Sequence, residues 1–314
     1  MVSQKIVVLG TGGTIAGTSG TAGDNVGYTA AQVGVAQLLE AIPALNALPG
    51  VMVVTEQVAQ IDSKDMDFEI WRALALRCAH YVADPSVQGV VITHGTDTLE
   101  ETAWFLHEVL DAHKPVVLTC AMRPATALTP DGPQNVLDAV ALALTPGVTG
   151  IFAVAAGEIH GARWVQKVHP YRVNAFSSGD AGPLGWIEEA TVRWAYNCPP
   201  TLTKYRLNAI EKIANLSDWP AVEIVMNYAG ASGRIVDAMV DGGVRGIVVA
   251  CTGNGTIHHA LEAGLLKALG KGIRVVRATR CPLGQMVATV GNPLADSQGL
   301  SPVKARVSMM LDLL

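Results

Sequence analysis

The stretch QKIVVLGTGGTIAG at residues 4–17 joins an apolar, β-branched run to a glycine-rich turn that carries threonine hydroxyls. A similar change of composition occurs in GVVITHGTDTLEETA at residues 89–103. A short apolar run bounded by turn residues is typical of a buried strand, and the turn then forms the loop after that strand. Ligands of open parallel sheets bind beyond the carboxyl ends of the strands, so both turns are candidate ligand-binding loops.

The first half of the chain alternates predicted strands with predicted helices. The helical segments at 67–82 and 99–110 have apolar residues on one face, and Thr98 with Glu101 has the spacing of a capping box before the second segment. This alternation predicts crossover connections and a mainly parallel sheet covered on both faces. The predicted strands span residues 5–9, 51–55, 89–93, 115–120 and 150–155.

A second, shorter alternation follows a region without sustained periodicity. We therefore predict an α/β chain with a parallel-sheet N-terminal domain at 1–190, a linker at 191–216 and a smaller α/β C-terminal domain at 217–314. In the C-terminal domain the predicted strands span residues 221–227, 246–250 and 273–278, and the predicted helices span 232–240 and 258–269.

Composition excludes several classes of protein. Half of the 314 residues are hydrophobic, which is enough for a substantial core, and the net charge of -5 without a basic run argues against nucleic acid as a partner. The longest uncharged run, 139–157, is broken by Thr145-Pro146-Gly147, which favours a helix end, a turn and a buried strand over a membrane span. A small polar or zwitterionic ligand remains compatible.

The N-terminus and the cysteines bear on the cellular compartment. The apolar run at 6–9 is too short for a signal peptide, so we expect a cytoplasmic protein as written, or a periplasmic one if the chain is a processed form. The cysteines are five in number, widely spaced and without a C-x-x-C pair, which favours free thiols.

Known glycine-loop motifs do not account for the two loops. Ile15 stands where the dinucleotide-binding fingerprint needs a glycine, no Gly-Lys pair follows as in a phosphate loop, and no zinc-like spacing occurs, so we expect neither a cofactor nor a metal. Hydroxyl chemistry remains, because a base or a cation can activate a threonine and glycine N–H groups can stabilise an oxyanion. Threonines at strand ends are also ordinary turn residues, so spacing alone leaves both readings open.

Taken together, residues 11–17 and 93–103 resemble the two signatures of the bacterial L-asparaginase family, in its type II branch. The resemblance spans nearly the whole chain, because further family-like segments follow in family order. These are Ala121-Met122-Arg123-Pro124, Asp131-Gly132-Pro133, Gly182-Pro183-Leu184-Gly185, Asn227-Tyr228-Ala229, Gly253-Asn254-Gly255 and Lys304-Ala305-Arg306.

The resemblance implies a catalytic role for five residues. Thr14 corresponds to the threonine nucleophile, which attacks the side-chain amide, releases ammonia and leaves an acyl-enzyme for water to hydrolyse, and Tyr28 corresponds to the tyrosine that assists it. Thr96, Asp97 and Lys167 correspond to the second catalytic group, in which lysine acts as a base near a threonine hydroxyl. The glycines between Thr14 and Tyr28 suit a closing lid.

Substrate-binding roles are implied in the same way. Ser63 corresponds to the serine that binds the α-carboxylate, Asp97 to the partner of the α-ammonium, and Asn254 to an asparagine that reaches the site of a neighbouring subunit. Lys64 is a departure, since this position is often glutamine in the family. The resemblance also implies a homotetramer whose sites are shared between subunits.

The implied activity is hydrolysis of L-asparagine to L-aspartate and ammonia, with a possible side activity on L-glutamine and with a small amino acid as the only partner besides the other subunits. Two alternatives stay open at this point. One is the asparaginase-like subunit of a tRNA-dependent amidotransferase, and the other is a non-catalytic amino-acid-binding protein on the same fold.

Overall fold

The apolar run at residues 5–9 lies in a strand that is paired on both sides, next to the edge strand of a large sheet. The computed structural model describes residues 4–21, 23–196, 206–287 and 291–314, and the chain divides into two units, Met1–Ala214 and Asn215–Leu314. The strands of the first unit are β1 (Gln4–Gly12), β2 (Val51–Ile61), β3 (Val87–Thr93), β4 (Pro115–Thr119), β5 (Gly150–Ala155), β6 (Glu158–Gly161), β7 (Gln166–Lys167), β8 (Phe176–Ser177), β9 (Gly185–Glu188) and β10 (Thr191–Trp194). Its helices are α1 (Val35–Glu40), α2 (Pro43–Asn46), α3 (Phe68–Ala83), α4 (Leu99–Val109), α5 (Gly132–Leu144) and α6 (Ala209–Ala214).

Eight of these strands form one sheet in the order β10-β9-β6-β5-β4-β3-β1-β2. The five strands from β1 to β5 pair in parallel, as the alternation of strands and helices predicts, and β6, β9 and β10 extend the sheet with antiparallel pairing. The short strands β7 and β8 form a separate antiparallel pair. The prediction of a mainly parallel α/β sheet is confirmed.

Helices cover both faces of this sheet. Val8, Val91 and Val117 are register partners on β1, β3 and β4, and they pack in one cluster with α1, α2 and α5. Their chain neighbours, such as Leu9 and Ile92, are also fully buried but lie outside that cluster, because side chains of a strand alternate between faces. The second face is covered by α3 and α4, which contact β3 and β5.

Register brings the loops of interest to one edge. Gly10 pairs with Thr93 and Thr93 pairs with Thr119, so β1, β3 and β4 end side by side. On the other side of β1, Gly12 pairs with Ile61 at the end of β2. The segments that follow these four strands therefore start from the same edge of the sheet.

The second unit is a smaller α/β structure with its own core. Its four strands pair in parallel in the order of the chain, and a cluster that includes Val236, Ile247, Leu261 and Val275 forms the interior. The elements are β11 (Val222–Met226), β12 (Gly246–Cys251), β13 (Arg274–Thr279), β14 (Ala295–Asp296), α7 (Arg234–Asp241), α8 (His259–Gly270) and α9 (Pro302–Asp312).

The predicted linker contains structured elements. Both β10 and α6 fall within 191–216, while residues 197–205 lie outside the described part of the chain, so the predicted boundaries at 190 and 217 stay predictions. Cys78, Cys120, Cys251 and Cys281 are free thiols, and Cys198 is among the residues that are not described. In the described ranges no helix combines the length and the apolar character that a membrane crossing requires.

Candidate active site

The loops after β1 and β3 touch through two glycines. Gly13 has a φ of +82°, and a Cβ at this position would overlap the backbone of Gly95. A Cβ on Gly95 would in turn overlap the side chain of Ser63, which follows β2. Only glycine allows this approach, so the segments that carry Thr14, Ser63 and Thr96 are held against one another.

Thr14 begins a single 3-10 turn after Gly13 and is 7% exposed. Its Oγ1 lies 2.6 Å from the hydroxyl oxygen of Tyr28, so one of the two hydroxyls donates to the other. The chain reaches Tyr28 through a loop that closes with paired backbone hydrogen bonds between Thr18 and Thr29. The structure thus brings together the predicted nucleophile and the predicted assisting tyrosine.

Asp24 shapes the loop just before Tyr28. Its carboxylate accepts hydrogen bonds from the Val26 and Gly27 backbone N–H groups at 2.9 Å and 2.8 Å. These bonds lower the pKa of Asp24, and a Cβ on Gly27 would overlap the same carboxylate. Sequence reasoning did not find this turn, although an aspartate followed three residues later by glycine is a usual turn signal.

A second threonine hydroxyl lies beside a lysine and an aspartate. Lys167 Nζ, on β7, donates to Thr96 Oγ1 at 2.8 Å and to Asp97 Oδ1 at 2.6 Å. Thr96 is 5% exposed, and the backbone N–H of Lys167 donates to Glu100 Oε1 at 3.3 Å. The three residues predicted to form the second catalytic group are therefore in direct contact, and Glu100 is a further contact that the sequence did not predict.

Ser63 is bound to the same loop by two hydrogen bonds. The Asp97 N–H donates to Ser63 Oγ at 3.1 Å, and the Thr98 hydroxyl donates to the Ser63 carbonyl at 2.8 Å. Thr98 is the N-cap of α4, as the spacing predicts, but its side chain makes no cap hydrogen bond to the helix, so that part of the predicted capping box is wrong. Its hydroxyl instead ties the Thr96 loop to the residue predicted to bind the substrate carboxylate.

Lys64, the departure from the family pattern, turns away from the catalytic group. Its Nζ donates to Asp62 Oδ2 at 2.7 Å and lies 3.6 Å from Asp65 Oδ2. The hydrogen bond to Asp62 raises the pKa of Lys64, whose side chain is 62% exposed. The cation is thus balanced by carboxylates of its own turn rather than by Asp97.

Asn254 belongs to the second unit. It sits in a turn with positive φ at both flanking glycines, and its amide exchanges two hydrogen bonds with the Val287 backbone, at 3.2 Å and 2.7 Å. Both polar atoms of the side chain therefore have partners within this unit. The predicted role of Asn254 at the site of a neighbouring subunit stays a prediction.

Sequence reasoning did not assign a role to His94, which is fully buried behind the Thr96 loop. Its Nδ1 lies 2.7 Å from the Gly95 carbonyl oxygen and its Nε2 lies 2.9 Å from Thr102 Oγ1. The Trp71 indole N–H also donates to Thr102 Oγ1, at 2.9 Å. Burial lowers the pKa of His94 to about 4, so the imidazole is neutral at physiological pH.

Thr11, in the first glycine-rich stretch, has a structural role. Thr11 lies inside β1 and donates to the Thr93 carbonyl at 3.0 Å, which ties the two strand ends together.

The backbone N–H of Thr96 forms no hydrogen bond with any residue in the described ranges. A buried backbone donor without a partner is rare, so this N–H is a candidate ligand contact.

The described ranges contain no group of three or more histidine, cysteine, aspartate or glutamate side chains arranged to hold a metal ion. The groups gathered at the sheet edge are two threonine hydroxyls, a tyrosine, a lysine, an aspartate and a serine. Hydroxyls partnered in this way can act as nucleophiles and as proton carriers. The site therefore combines hydroxyl groups with the hydrogen-bond partners that such chemistry needs.

Comparison with known proteins identifies the class. Residues 5–200 match the sequence model described as "Asparaginase, N-terminal", and residues 221–313 match "Glutaminase/Asparaginase C-terminal domain". The chain is therefore an amidohydrolase. It belongs to the asparaginase family over nearly its whole length.

Individual relatives agree with this assignment. The chain is 37% identical to L-asparaginase 2 of Bacillus subtilis, over 98% of this chain and 82% of that protein, and 38% identical to a probable periplasmic L-asparaginase of Haemophilus influenzae, over 98% and 88%. A crystal structure of a probable cytoplasmic L-asparaginase from Campylobacter jejuni superposes with a TM-score of 0.90 at 38% identity, covering 99% of this chain and 95% of that one. Similar proteins are thus described in both compartments.

Proposed function

We propose that this protein hydrolyses L-asparagine to L-aspartate and ammonia through an acyl-enzyme formed on Thr14. The observation that carries the proposal is the presence of two partnered threonine hydroxyls on loops joined by Gly13 and Gly95. A binding site alone would need neither the Thr14–Tyr28 contact nor the Lys167–Thr96 contact. Membership of the asparaginase family supports the same activity.

In the first step, Thr14 Oγ1 attacks the carbon of the side-chain amide. Tyr28, at 2.6 Å, accepts the hydroxyl proton and passes it toward the leaving nitrogen, so the C–N bond breaks and ammonia departs as the ester forms. The N–H of Thr96, which has no partner among the described residues, supplies a donor for the oxyanion. Water then hydrolyses the ester and restores the Thr14 hydroxyl.

Thr96 and Lys167 accept a proton from the water that hydrolyses the ester. When Lys167 is neutral, its Nζ accepts the Thr96 proton over the 2.8 Å contact, and Thr96 in turn accepts a proton from the attacking water. Asp97, at 2.6 Å from Nζ, stabilises the lysine when it becomes charged. As the ester C–O bond breaks, the proton returns from Lys167 through Thr96 to Thr14 Oγ1, which restores the Thr14 hydroxyl and regenerates the base.

Recognition of the amino acid uses the neighbouring groups. Ser63 Oγ accepts from the Asp97 N–H, so its own proton is available to the α-carboxylate. In the described ranges only Oδ1 of the Asp97 carboxylate is engaged, which leaves Oδ2 for the α-ammonium. We further propose a homotetramer in which Asn254 completes the site of a neighbouring subunit, and a side activity on L-glutamine.

Glutamine differs from asparagine by one methylene. A pocket distinguishes such a pair by about 10- to 200-fold, so a measurable glutaminase activity is expected beside the main one. Among the two alternatives, the amidotransferase subunit would release little ammonia without its partner. The non-catalytic binding protein would be stabilised by aspartate or asparagine without consuming either.

The test is ammonia release from L-asparagine and from L-glutamine by the purified full chain, with Thr14→Ala, Thr96→Ala and Thr191→Ala in parallel. Thr191 is exposed on β10 and serves as the matched control. We expect activity in the wild type and in Thr191→Ala, and its loss in the other two with unchanged circular dichroism. An inactive, folded wild type that binds aspartate would overturn the proposal in favour of the binding protein.

A further inference from the structure

We propose that His94 is a positioning residue that fixes the orientation of the Gly95–Thr96 peptide and thereby aims the Thr96 N–H at the reacting carbonyl. The inference rests on the proposed function. The inference goes beyond the proposed function because it assigns a positioning role to a buried side chain. This side chain contacts neither the substrate nor the two reactive hydroxyls.

The hydrogen bonds around His94 determine its tautomer. The Trp71 indole nitrogen can only donate, so Thr102 Oγ1 accepts from it and has its own proton to give. The Gly95 carbonyl can only accept, so His94 Nδ1, which lies 2.7 Å from it, carries the hydrogen of the neutral ring and donates to it. Nε2 then carries no hydrogen and accepts the Thr102 proton over 2.9 Å. The chain of donors runs from Trp71 to Gly95 in one direction.

Fixing the Gly95 carbonyl also fixes the Thr96 N–H. The two groups belong to one peptide unit, and the described residues contain no cis peptide bond. In a trans peptide the carbonyl and the N–H point in opposite directions. Because the carbonyl points at the His94 ring, the Thr96 N–H points away from it. A rotation of this peptide would move both groups together.

The surroundings restrict translation of the peptide but leave this rotation to His94. Gly95 is packed against the Gly13 backbone on one side and the Ser63 side chain on another, since a Cβ at Gly13 or Gly95 would overlap those neighbours. Glycine itself imposes little preference on its ψ angle. Among the described residues, His94 Nδ1 is the donor that binds the Gly95 carbonyl. It therefore restrains the Gly95 ψ torsion, about which the peptide next to Thr96 can rotate.

The free Thr96 N–H explains why such control is useful. It lies in a residue that is 5% exposed and has no partner in the described ranges. Losing one oxyanion donor costs about 10²- to 10³-fold in kcat. A donor whose orientation varies stabilises the oxyanion less than a donor with a fixed orientation. A fixed peptide plane keeps the donor aimed without reorganisation during the reaction.

The experiment compares His94→Leu with His94→Asn in the full chain. The Asn amide nitrogen stands near the place of Nδ1 and can still donate to the Gly95 carbonyl, whereas Leu cannot donate. We expect kcat on L-asparagine to fall about tenfold in His94→Leu, with KM and the dissociation constant for L-aspartate within about twofold of the wild type. His94→Asn should retain kcat within about threefold. His160→Asn, at another buried histidine, is the matched control and should leave kcat unchanged.

Thr102→Val provides a second test in case the His94→Leu protein does not fold. It keeps the volume of the side chain and removes the hydroxyl that holds Nε2, so the ring is held less firmly and kcat should fall with little change in KM. The inference is overturned if His94→Leu, or Thr102→Val where the former is unfolded, keeps the wild-type kcat. It is also overturned if His94→Asn loses as much kcat as His94→Leu, or if KM and aspartate binding weaken in parallel with kcat. A wild type without asparaginase activity would instead overturn the proposed function, so the two failures are distinct.

Discussion

Gly13 and Gly95 are in backbone contact, with no room for a side chain at either position. Gly13 directly follows β1, and Gly95 follows β3 after one loop residue. Each glycine precedes a threonine of the proposed site. The contact therefore joins the Thr14 loop to the Thr96 loop. Since Gly95 also packs on Ser63, the same contact extends to the residue proposed to bind the substrate carboxylate.

Gly13→Ala is expected to lower both stability and activity. Gly13 has φ +82° and ψ -172°, a region in which a non-glycine residue costs about 1–3 kcal/mol, and the overlap of its Cβ with the Gly95 backbone adds to this cost. We expect a total of about 3 kcal/mol or more in the free energy of unfolding, measured by denaturant titration. Gly147→Ala is the control, because Gly147 has a φ of +78° with open space around it. Equal losses in the two variants would contradict the account of the contact.

Tyr28→Phe tests the hydrogen bond to Thr14. The substitution removes the hydroxyl that lies 2.6 Å from Thr14 Oγ1 and leaves the ring in place. We expect kcat to fall about 10²-fold with a smaller change in KM, since proton transfer to a positioned group contributes about that much. Tyr171→Phe, at a tyrosine that is 61% exposed, should leave kcat unchanged. A Tyr28→Phe enzyme with wild-type kcat would exclude the tyrosine from the proton transfer.

Lys167→Met tests the second catalytic group. The variant removes the contacts to Thr96 and Asp97, and we expect kcat to fall about 10²- to 10⁴-fold. Lys267→Met is the control, because Lys267 forms a similar pair with Asp237 at 2.9 Å on the surface of the second unit. Steady-state kinetics of both variants, with thermal unfolding beside them, distinguish a catalytic loss from a structural one. A loss confined to KM would assign Lys167 to binding instead.

The pH dependence of stability should report the neutral state of His94. Burial lowers the pKa of His94 from 6.5 to about 4, so below pH 6.5 the unfolded chain binds a proton that the folded chain does not. Stability therefore falls as the pH decreases from 6.5 toward 4, by about 2 kcal/mol at pH 5 relative to pH 8. The His94→Asn protein should lack this contribution, which denaturant titrations at the two pH values would measure. An identical pH slope in both proteins would show that His94 is not the group responsible.

Much of this fold follows from patterns that extend over many residues. The helical spacing of residues 99–110 predicts burial of Leu99, Ala103 and Leu106, and all three are buried in α4. The apolar run at 150–155 corresponds to β5 without a shift of either end. Long periodic segments report burial directly, because each residue of one face repeats the same signal.

The arrangement of the site depends on contacts that no local pattern contains. Lys167 lies on a strand of two residues, too short for any periodicity, and meets Thr96 across 71 positions of sequence. Thr98 has the local pattern of a helix cap, yet its hydroxyl donates to Ser63, 35 positions away. The family resemblance supplied Thr14, Tyr28, Thr96, Asp97, Lys167 and Ser63 as candidates. His94 was not among them, since a histidine behind a loop has no spacing signal.

An acyl group on Thr14 can be observed by mass spectrometry of the enzyme quenched in acid shortly after mixing with L-asparagine. We expect a β-aspartyl adduct on the peptide that contains Thr14, present in the wild type and absent from Thr14→Ala. Lys167→Met, in which hydrolysis of the ester is slowed, should hold the adduct longer. An adduct on Thr96 instead, or full turnover by Thr14→Ala, would show that Thr14 is not the nucleophile.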